Sequence, residues 1–156
     1  TTIVGLHTFC QDYYESLIAR VRKLGLDRHI IFEEYVSEQE LRPLYDGSDV
    51  FVFVNDGFSW GIAVCEAVAA GLPVVITNNI GVADLLEDGK HAWVVPPRSP
   101  ERIARAIKEI VRDRERTSAI TREAFNSIRN IVSWESYARR MVALLEGSSS
   151  GQRPCQ

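Results

Sequence analysis

Apolar and polar positions along the chain switch between two periods. Within residues 12–24 the apolar side chains Tyr14, Leu17, Ile18, Val21 and Leu24 recur at steps of three and four, the period of a helix with one buried stripe, and Gly25 ends it. Short apolar runs at residues 2–6, 29–32, 49–54, 73–77 and 92–95 separate such segments and predict strands. Two of them, VFVFV and PVVIT, lack polar alternation, which is how a strand covered by helices on both faces reads. Ser37 followed three residues later by Glu40 has the form of a capping box and predicts a helix that closes at Gly47. Residues 61–70 predict a further helix, and residues 82–87 a short one ending at Gly89. Strands alternating with helices over short connections imply right-handed βαβ crossovers, and so an α/β fold with a Rossmann-like, doubly wound parallel sheet of about five strands.

Beyond Ser99 the pattern is wholly helical. Ser99 is placed to cap a helix with Pro100 in its first turn, and Ile103, Ala106, Ile107 and Ile110 keep the helical period. Two more helices follow at about residues 117–130 and 134–145, and residues 148–156 hold so little to bury that a disordered tail is expected.

Composition narrows the function classes. With 156 residues, 46% hydrophobic and 25% charged, a single globular domain over residues 1–147 is expected. A formal net charge of -3 argues against a protein that neutralises nucleic-acid phosphates. No apolar run approaches the roughly 20 residues that span a bilayer, so a soluble, cytoplasmic domain is expected. Cys10, Cys65 and Cys155 are odd in number and have no metal-ligand spacing, which fits a reducing compartment without a disulfide framework. His29 and His91 have no partner at ligand spacing and no carboxylate pair suggests a metal, so none is expected. The chain opens on TTIVGL, without Met or a signal-peptide pattern, and reads as a piece of a longer protein.

The chemistry concentrates after the third predicted strand. Ligands of open parallel sheets bind beyond the carboxyl ends of the strands. There the loop NDGFSW feeds the helix that begins at Gly61, whose first N–H groups and positive dipole end suit a phosphate. Gly61 has no Cβ, so an anion could approach the backbone of Gly61, Ile62 and Ala63. Glu66 is the one charge after Asp56 within residues 56–75. Standing four residues after Ile62 and three after Ala63, it leans back toward the same turn. Among small apolar neighbours an unpaired carboxylate would be costly, so Glu66 is expected to have donors. Ligand hydroxyls are one source and loop N–H groups bracing the crossover are another. Spacing alone leaves both open, because a glycine turn opening a helix is common in doubly wound folds.

The run GFSWGIAVCEAVAAGLPVV, followed by ITNNIGVADLLEDGKHAWVVPPRSPERIARAI, resembles the C-terminal, nucleotide-sugar half of the family 4 retaining glycosyltransferases of the GT-B fold. The resemblance covers about residues 2–145, and SW in SWESYARRM is similar to the family's late helix start. The family pattern is Glu-Gly-Phe-Gly, four residues, Glu-Ala, and then a Gly-x-Pro-Val-Val strand. The resemblance implies that Glu66 binds the ribose hydroxyls of a nucleotide diphosphate sugar, with the N–H groups around Gly61, Ile62 and Ala63 holding the diphosphate. It implies that Tyr35 adjoins the base after the second strand, with Val36 either beside it or, by preference, packed in the core, and that Asn78, Asn79 and Gly81 approach the sugar. It further implies no cofactor and no metal, only the nucleotide-sugar donor, and as partner an N-terminal acceptor domain of the same chain. Any membrane contact, at a cytoplasmic face, would belong to that domain.

Two departures qualify the match. Counting back eight residues from Glu66, where the family has its first glutamate, lands on Phe58. With two residues inserted in the turn, Asp56-Gly57-Phe58 matches Glu-Gly-Phe and Asp56 becomes the catalytic contact to the donor sugar; otherwise Asp56 is a loop acid beside Gly57. Trp60 either lines the sugar pocket or shields the loop. At the start, the family's Gly-x-Gly is reduced to Gly5-Leu6-His7, and the preceding strand and helix with their phosphate-binding basic residues are absent. His7 is expected to be solvated. The implied function is the donor-binding half of a sugar transferase, inactive as an isolated piece. The alternatives are half of a nucleotide-sugar epimerase or phosphorylase, and a noncatalytic nucleotide-sugar-binding or scaffold module, which the lost glutamate favours. A dinucleotide-binding oxidoreductase fits poorly, because no Gly-x-Gly-x-x-Gly follows a strand.

Overall fold

The computed structural model describes residues 1–5, 10–57 and 59–149. The expectations for His7 and Phe58, and for residues 150–156 of the tail, lie outside the described residues. The elements run β1 (Thr2–Val4), α1 (Gln11–Lys23), β2 (Ile31–Glu33), α2 (Glu38–Asp46), β3 (Phe51–Phe53), α3 (Ile62–Ala69), β4 (Val74–Thr77), a 3-10 turn (Gly81–Leu85), β5 (Trp93–Val95), α4 (Pro100–Arg112), α5 (Arg114–Ile131) and α6 (Trp134–Ser149). All strand pairs are parallel, as the βαβ pattern requires, and they form a sheet β1-β2 and a sheet β3-β4-β5. The chain divides into two compact units, residues 1–46 and the part from Gly47 onward. Among the described residues no helix is long and apolar enough to cross a membrane.

In the first unit, the stripe predicted for α1 is present. Tyr14 meets Phe32 of β2 edge-on, with ring centroids 5.6 Å apart, and Leu17, Ile18 and Val21 are half-buried. A two-stranded sheet with two helices encloses little, so no residue of α1 or β1 is fully buried. Gly25, at φ 65°, follows the end of α1 as expected. The Glu40 carboxylate accepts from the Ser37 N–H at 3.1 Å, which is one half of the predicted box. It also takes the Ser37 hydroxyl at 2.6 Å, so that hydroxyl points at the acid instead of at a helix N–H.

The core belongs to the second unit. All four residues of β4 are buried. Val75 joins Trp93 and Val95 of β5, Ala106 and Ile110 of α4 and Ile120 of α5 in one cluster. Val74 and Ile76, pointing to the opposite face of the strand, are buried as well. The sequence expectation of a doubly covered strand thus holds for PVVIT. It does not hold for VFVFV, where Phe51 and Phe53 are half-buried and stacked at 6.3 Å while Val52 and Val54 are 38% and 46% exposed. β3 ends its sheet, and its face carrying Val52 and Val54 is less covered than the one carrying Phe51 and Phe53. α3 buries Val64, Ala67 and Val68, and α5 buries Ile120, Ala124 and Ile128 at steps of four.

Two helix starts differ from expectation. Ser99 stands at the N-cap of α4, but its hydroxyl donates to the Pro97 carbonyl at 3.2 Å and caps no helix N–H. α5 begins ahead of the predicted residue 117, because Asp113 accepts the Arg116 N–H at 3.0 Å and caps it.

Candidate functional site

The carboxyl ends of β3, β4 and β5 are tied together by side chains. The buried Thr77 hydroxyl, at the end of β4, accepts the Asn55 N–H at 3.1 Å and donates to the Asn55 carbonyl at 3.3 Å. Asn55 Oδ1 accepts the Gly57 N–H at 3.1 Å, an Asx turn that bends the chain after β3. Asn79 Nδ2 lies 3.5 Å from the Gly57 carbonyl, and its Oδ1 is buried without a hydrogen-bond partner among the described residues. Past β5, the Arg98 guanidinium grips Asp56: Nε is 2.9 Å from both carboxylate oxygens and Nη2 is 2.7 Å from Oδ2. These hydrogen bonds, opposed by desolvation and aided by the guanidinium charge, hold the Asp56 carboxyl below the usual aspartate value. Arg98 reaches this position from a backbone with φ 55°, the one positive φ outside glycine among the described residues.

A second set of contacts docks the turn before α3 onto the turn after β4. The Gly81 N–H donates to the Ser59 carbonyl at 2.9 Å, and the Val82 N–H to the Trp60 carbonyl at 2.8 Å. Trp60 lies against Gly81, where a Cβ would stand 2.9 Å from its Cδ1. Gly81 is therefore occupied on its side-chain side by Trp60, and Trp60 shields this turn while staying 42% exposed. Gly61, the N-cap of α3, has φ 89° and is buried. A Cβ there would meet Val82 Cγ1 at 3.0 Å and Ile80 Cδ1 at 3.4 Å. The glycine is fixed by its left-handed backbone and by these neighbours, which is a different reason from the open anion approach the sequence suggested. The opening lies one residue on: Ile62 is 66% exposed, Ala63 is half-buried, and both contribute N–H groups of the first turn, which no preceding helical turn can satisfy.

Glu66 is exposed, contrary to the expectation of a carboxylate hemmed in by apolar neighbours. α3 buries only the face of Val64, Ala67 and Val68, against β3, β4 and α5. Ile62, Glu66, Ala69 and Ala70 form the exposed stripe, so desolvation does not by itself demand donors for Glu66. Burial, then the neighbouring Glu66 charge, pushes the Cys65 thiol up. Asn78 is exposed, and its N–H continues the β4–β5 ladder to the Val95 carbonyl at 3.0 Å. Tyr35 belongs to the first unit, on the loop after β2, and is 75% exposed.

The structure thus brings Gly61, Ile62, Ala63 and Glu66 onto one helix end, docks Gly81 against the turn that leads into it, and ties Asp56 to Arg98. Sequence reasoning missed Arg98 and Thr77. Thr77 was legible only as a strand end and Arg98 only as a loop residue, and no short-range pattern links Arg98 to Asp56, 42 positions away.

A family model described as glycosyl transferases group 1 matches residues 1–127. The chain belongs to that family. Among curated relatives it is 27% identical over 132 residues to the mannosylfructose-phosphate synthase of Agrobacterium fabrum, covering 85% of this chain and 29% of that protein. It spans well under half the length of this relative. Among solved structures, the C-terminal domain of the group 1 glycosyl transferase LpcC from Francisella tularensis superposes with a TM-score of 0.73 at 22% identity, over 79% of this chain and 64% of that one. Anabaena Alr3699/HepE, solved in complex with UDP-glucose, gives a TM-score of 0.81 at 21% identity, over 94% of this chain and 40% of that one. The fold of this group 1 chain is that of GT-B glycosyltransferase C-terminal domains.

Proposed function

We propose that this chain is the C-terminal, donor-binding half of a family 4 retaining glycosyltransferase, and that the whole enzyme moves a sugar from a nucleotide diphosphate to an acceptor. In this reading residues 1–147 form the donor domain, and the acceptor domain lies in the remainder of a longer chain. The observation that carries it is Glu66, an exposed carboxylate one turn along from Ile62 at the open end of α3, beyond the carboxyl end of β3. A diphosphate at the N–H groups of Ile62 and Ala63, next to Gly61, meets the positive end of the helix. Glu66 then accepts from the ribose hydroxyls. Asp56 contacts the donor sugar, and Asn78 and the backbone at Gly81 adjoin it. Charge developing on the leaving diphosphate is stabilised by the α3 dipole, with no side-chain nucleophile, metal or further cofactor. The isolated chain is expected to bind donor weakly and transfer nothing. HepE, of the same fold, was solved with UDP-glucose, which supports a nucleotide sugar as the ligand.

A noncatalytic nucleotide-sugar-binding module is the second reading, favoured by Phe58 in the position eight residues before Glu66. Ligand-observed NMR on the full-length protein, with the uridine, guanosine and adenosine diphosphates and their sugars, tests what the two share. Binding of one pair is expected, with loss in Glu66→Ala; binding unchanged in that variant refutes the ribose role. Turnover separates them, since Asp56→Ala abolishes transfer only in an enzyme.

A further inference from the structure

We propose that Arg98 is a positioning residue of the donor site: it orients the Asp56 carboxylate toward the donor sugar. The proposal rests on the donor-binding reading and adds a residue to it. Asp56 sits on an exposed loop where nothing in its own sequence neighbourhood fixes the carboxylate plane. The Arg98 fork does so from 42 residues away, with three contacts of 2.7 to 2.9 Å. Oδ2 takes two of them and Oδ1 takes one, so the carboxylate keeps lone pairs for sugar hydroxyls. Both side chains remain largely exposed, at 81% and 59%, so a ligand can reach them.

Arg98 reaches Asp56 from a left-handed backbone immediately after Pro97. A non-glycine residue in that conformation is strained, and a strained residue whose side chain grips a strand-end acid is placed as functional positioning would place it. Lysine would keep the charge and lose the planar fork.

The test is calorimetric titration of the full-length protein with UDP and UDP-glucose, and with GDP and GDP-mannose, for wild type, Arg98→Gly, Arg98→Lys, Asp56→Asn and Glu66→Ala. Glycine removes the guanidinium while accepting the left-handed backbone, so the fold is kept; a thermal melt of each variant checks this. Arg98→Gly is expected to weaken the nucleotide sugar about tenfold and the free nucleoside diphosphate less than about twofold. Asp56→Asn should match it, combining Arg98→Gly with Asp56→Asn in one protein should add little, and Arg98→Lys should not restore the sugar preference. Equal weakening of both ligands would show Arg98 acting on the phosphates or on the fold, and would overturn the proposal. Wild-type binding in Arg98→Gly, with binding lost in Glu66→Ala, would overturn it too and leave the donor-binding reading standing. A wild-type protein that binds none of the uridine, guanosine or adenosine diphosphates and their sugars overturns both.

Discussion

Trp60 rests on the bare α-carbon of Gly81, so closely that an added methyl would lie 2.9 Å from Trp60 Cδ1 and 3.3 Å from Trp60 Cα. With the paired hydrogen bonds from Gly81 and Val82 to the carbonyls of Ser59 and Trp60, this contact fixes the turn that launches α3. Because part of the clash is with backbone, the indole cannot simply swing aside. Gly81→Ala is therefore expected to cost about 1–3 kcal/mol, read from the urea midpoint, and to shift the Trp60 fluorescence. An unchanged midpoint would mean the two turns are not docked.

Gly61 carries a second backbone requirement at the same place. An alanine would be held at φ 89° and would meet Val82 Cγ1 at 3.0 Å. The left-handed conformation alone costs roughly 1–2 kcal/mol. Gly61→Ala should lower stability by at least that amount in chemical denaturation. Gly57, with no atom within 4 Å of an added Cβ and no positive φ, serves as the control, and alanine there should be nearly silent.

Protonation separates the Asp56–Arg98 pair from ordinary loop charges. Arg98 hydrogen bonds, chiefly, lower the Asp56 carboxyl below its ordinary 3.8. The pair is therefore complete above that value and is lost as pH falls through the lowered one, so no pH dependence between about 5 and 8 originates from it. In a carboxyl-carbon NMR titration the Asp56 midpoint should rise when Arg98 becomes Gly. A midpoint that stays put would mean the fork does not form in solution.

The two caps at the ends of α4 make opposite predictions. Asp113 bonds a free N–H of α5, and Asp113→Ala should cost about 1 kcal/mol in thermal or urea unfolding. Ser99 stands in the equivalent place before α4 but donates to Pro97, so Ser99→Ala should cost only a small fraction of that. Equal losses would contradict the bonding described.

The order of strands and helices was legible because burial writes itself as period. PVVIT reads as doubly covered and is. VFVFV reads the same way yet ends its sheet with Val52 and Val54 partly exposed, because an apolar run records what a strand tolerates, not which neighbours it receives. At the site, the place of Gly61 at the start of a helix and of Glu66 one turn along it was legible from local spacing. The burial of Gly61 against Val82, the exposure of Glu66, the seat of Trp60 on Gly81 and the Arg98 fork were not. Each depends on segments brought together by the sheet, at separations where sequence carries no periodic signal.

The central claim is that Glu66 reads the ribose of a nucleotide held at the end of α3. It is tested most directly by titrating the full-length protein and its Glu66→Ala variant with UDP and 2′,3′-dideoxy-UDP, or the corresponding guanosine pair if that base is preferred. Hydrogen bonds to a charged acceptor are worth about 1.5–3 kcal/mol, so wild type should prefer the ribose form by tenfold or more. Glu66→Ala should bind the two forms almost equally and bind the dideoxy form about as wild type does. The same preference in both proteins would contradict the claim.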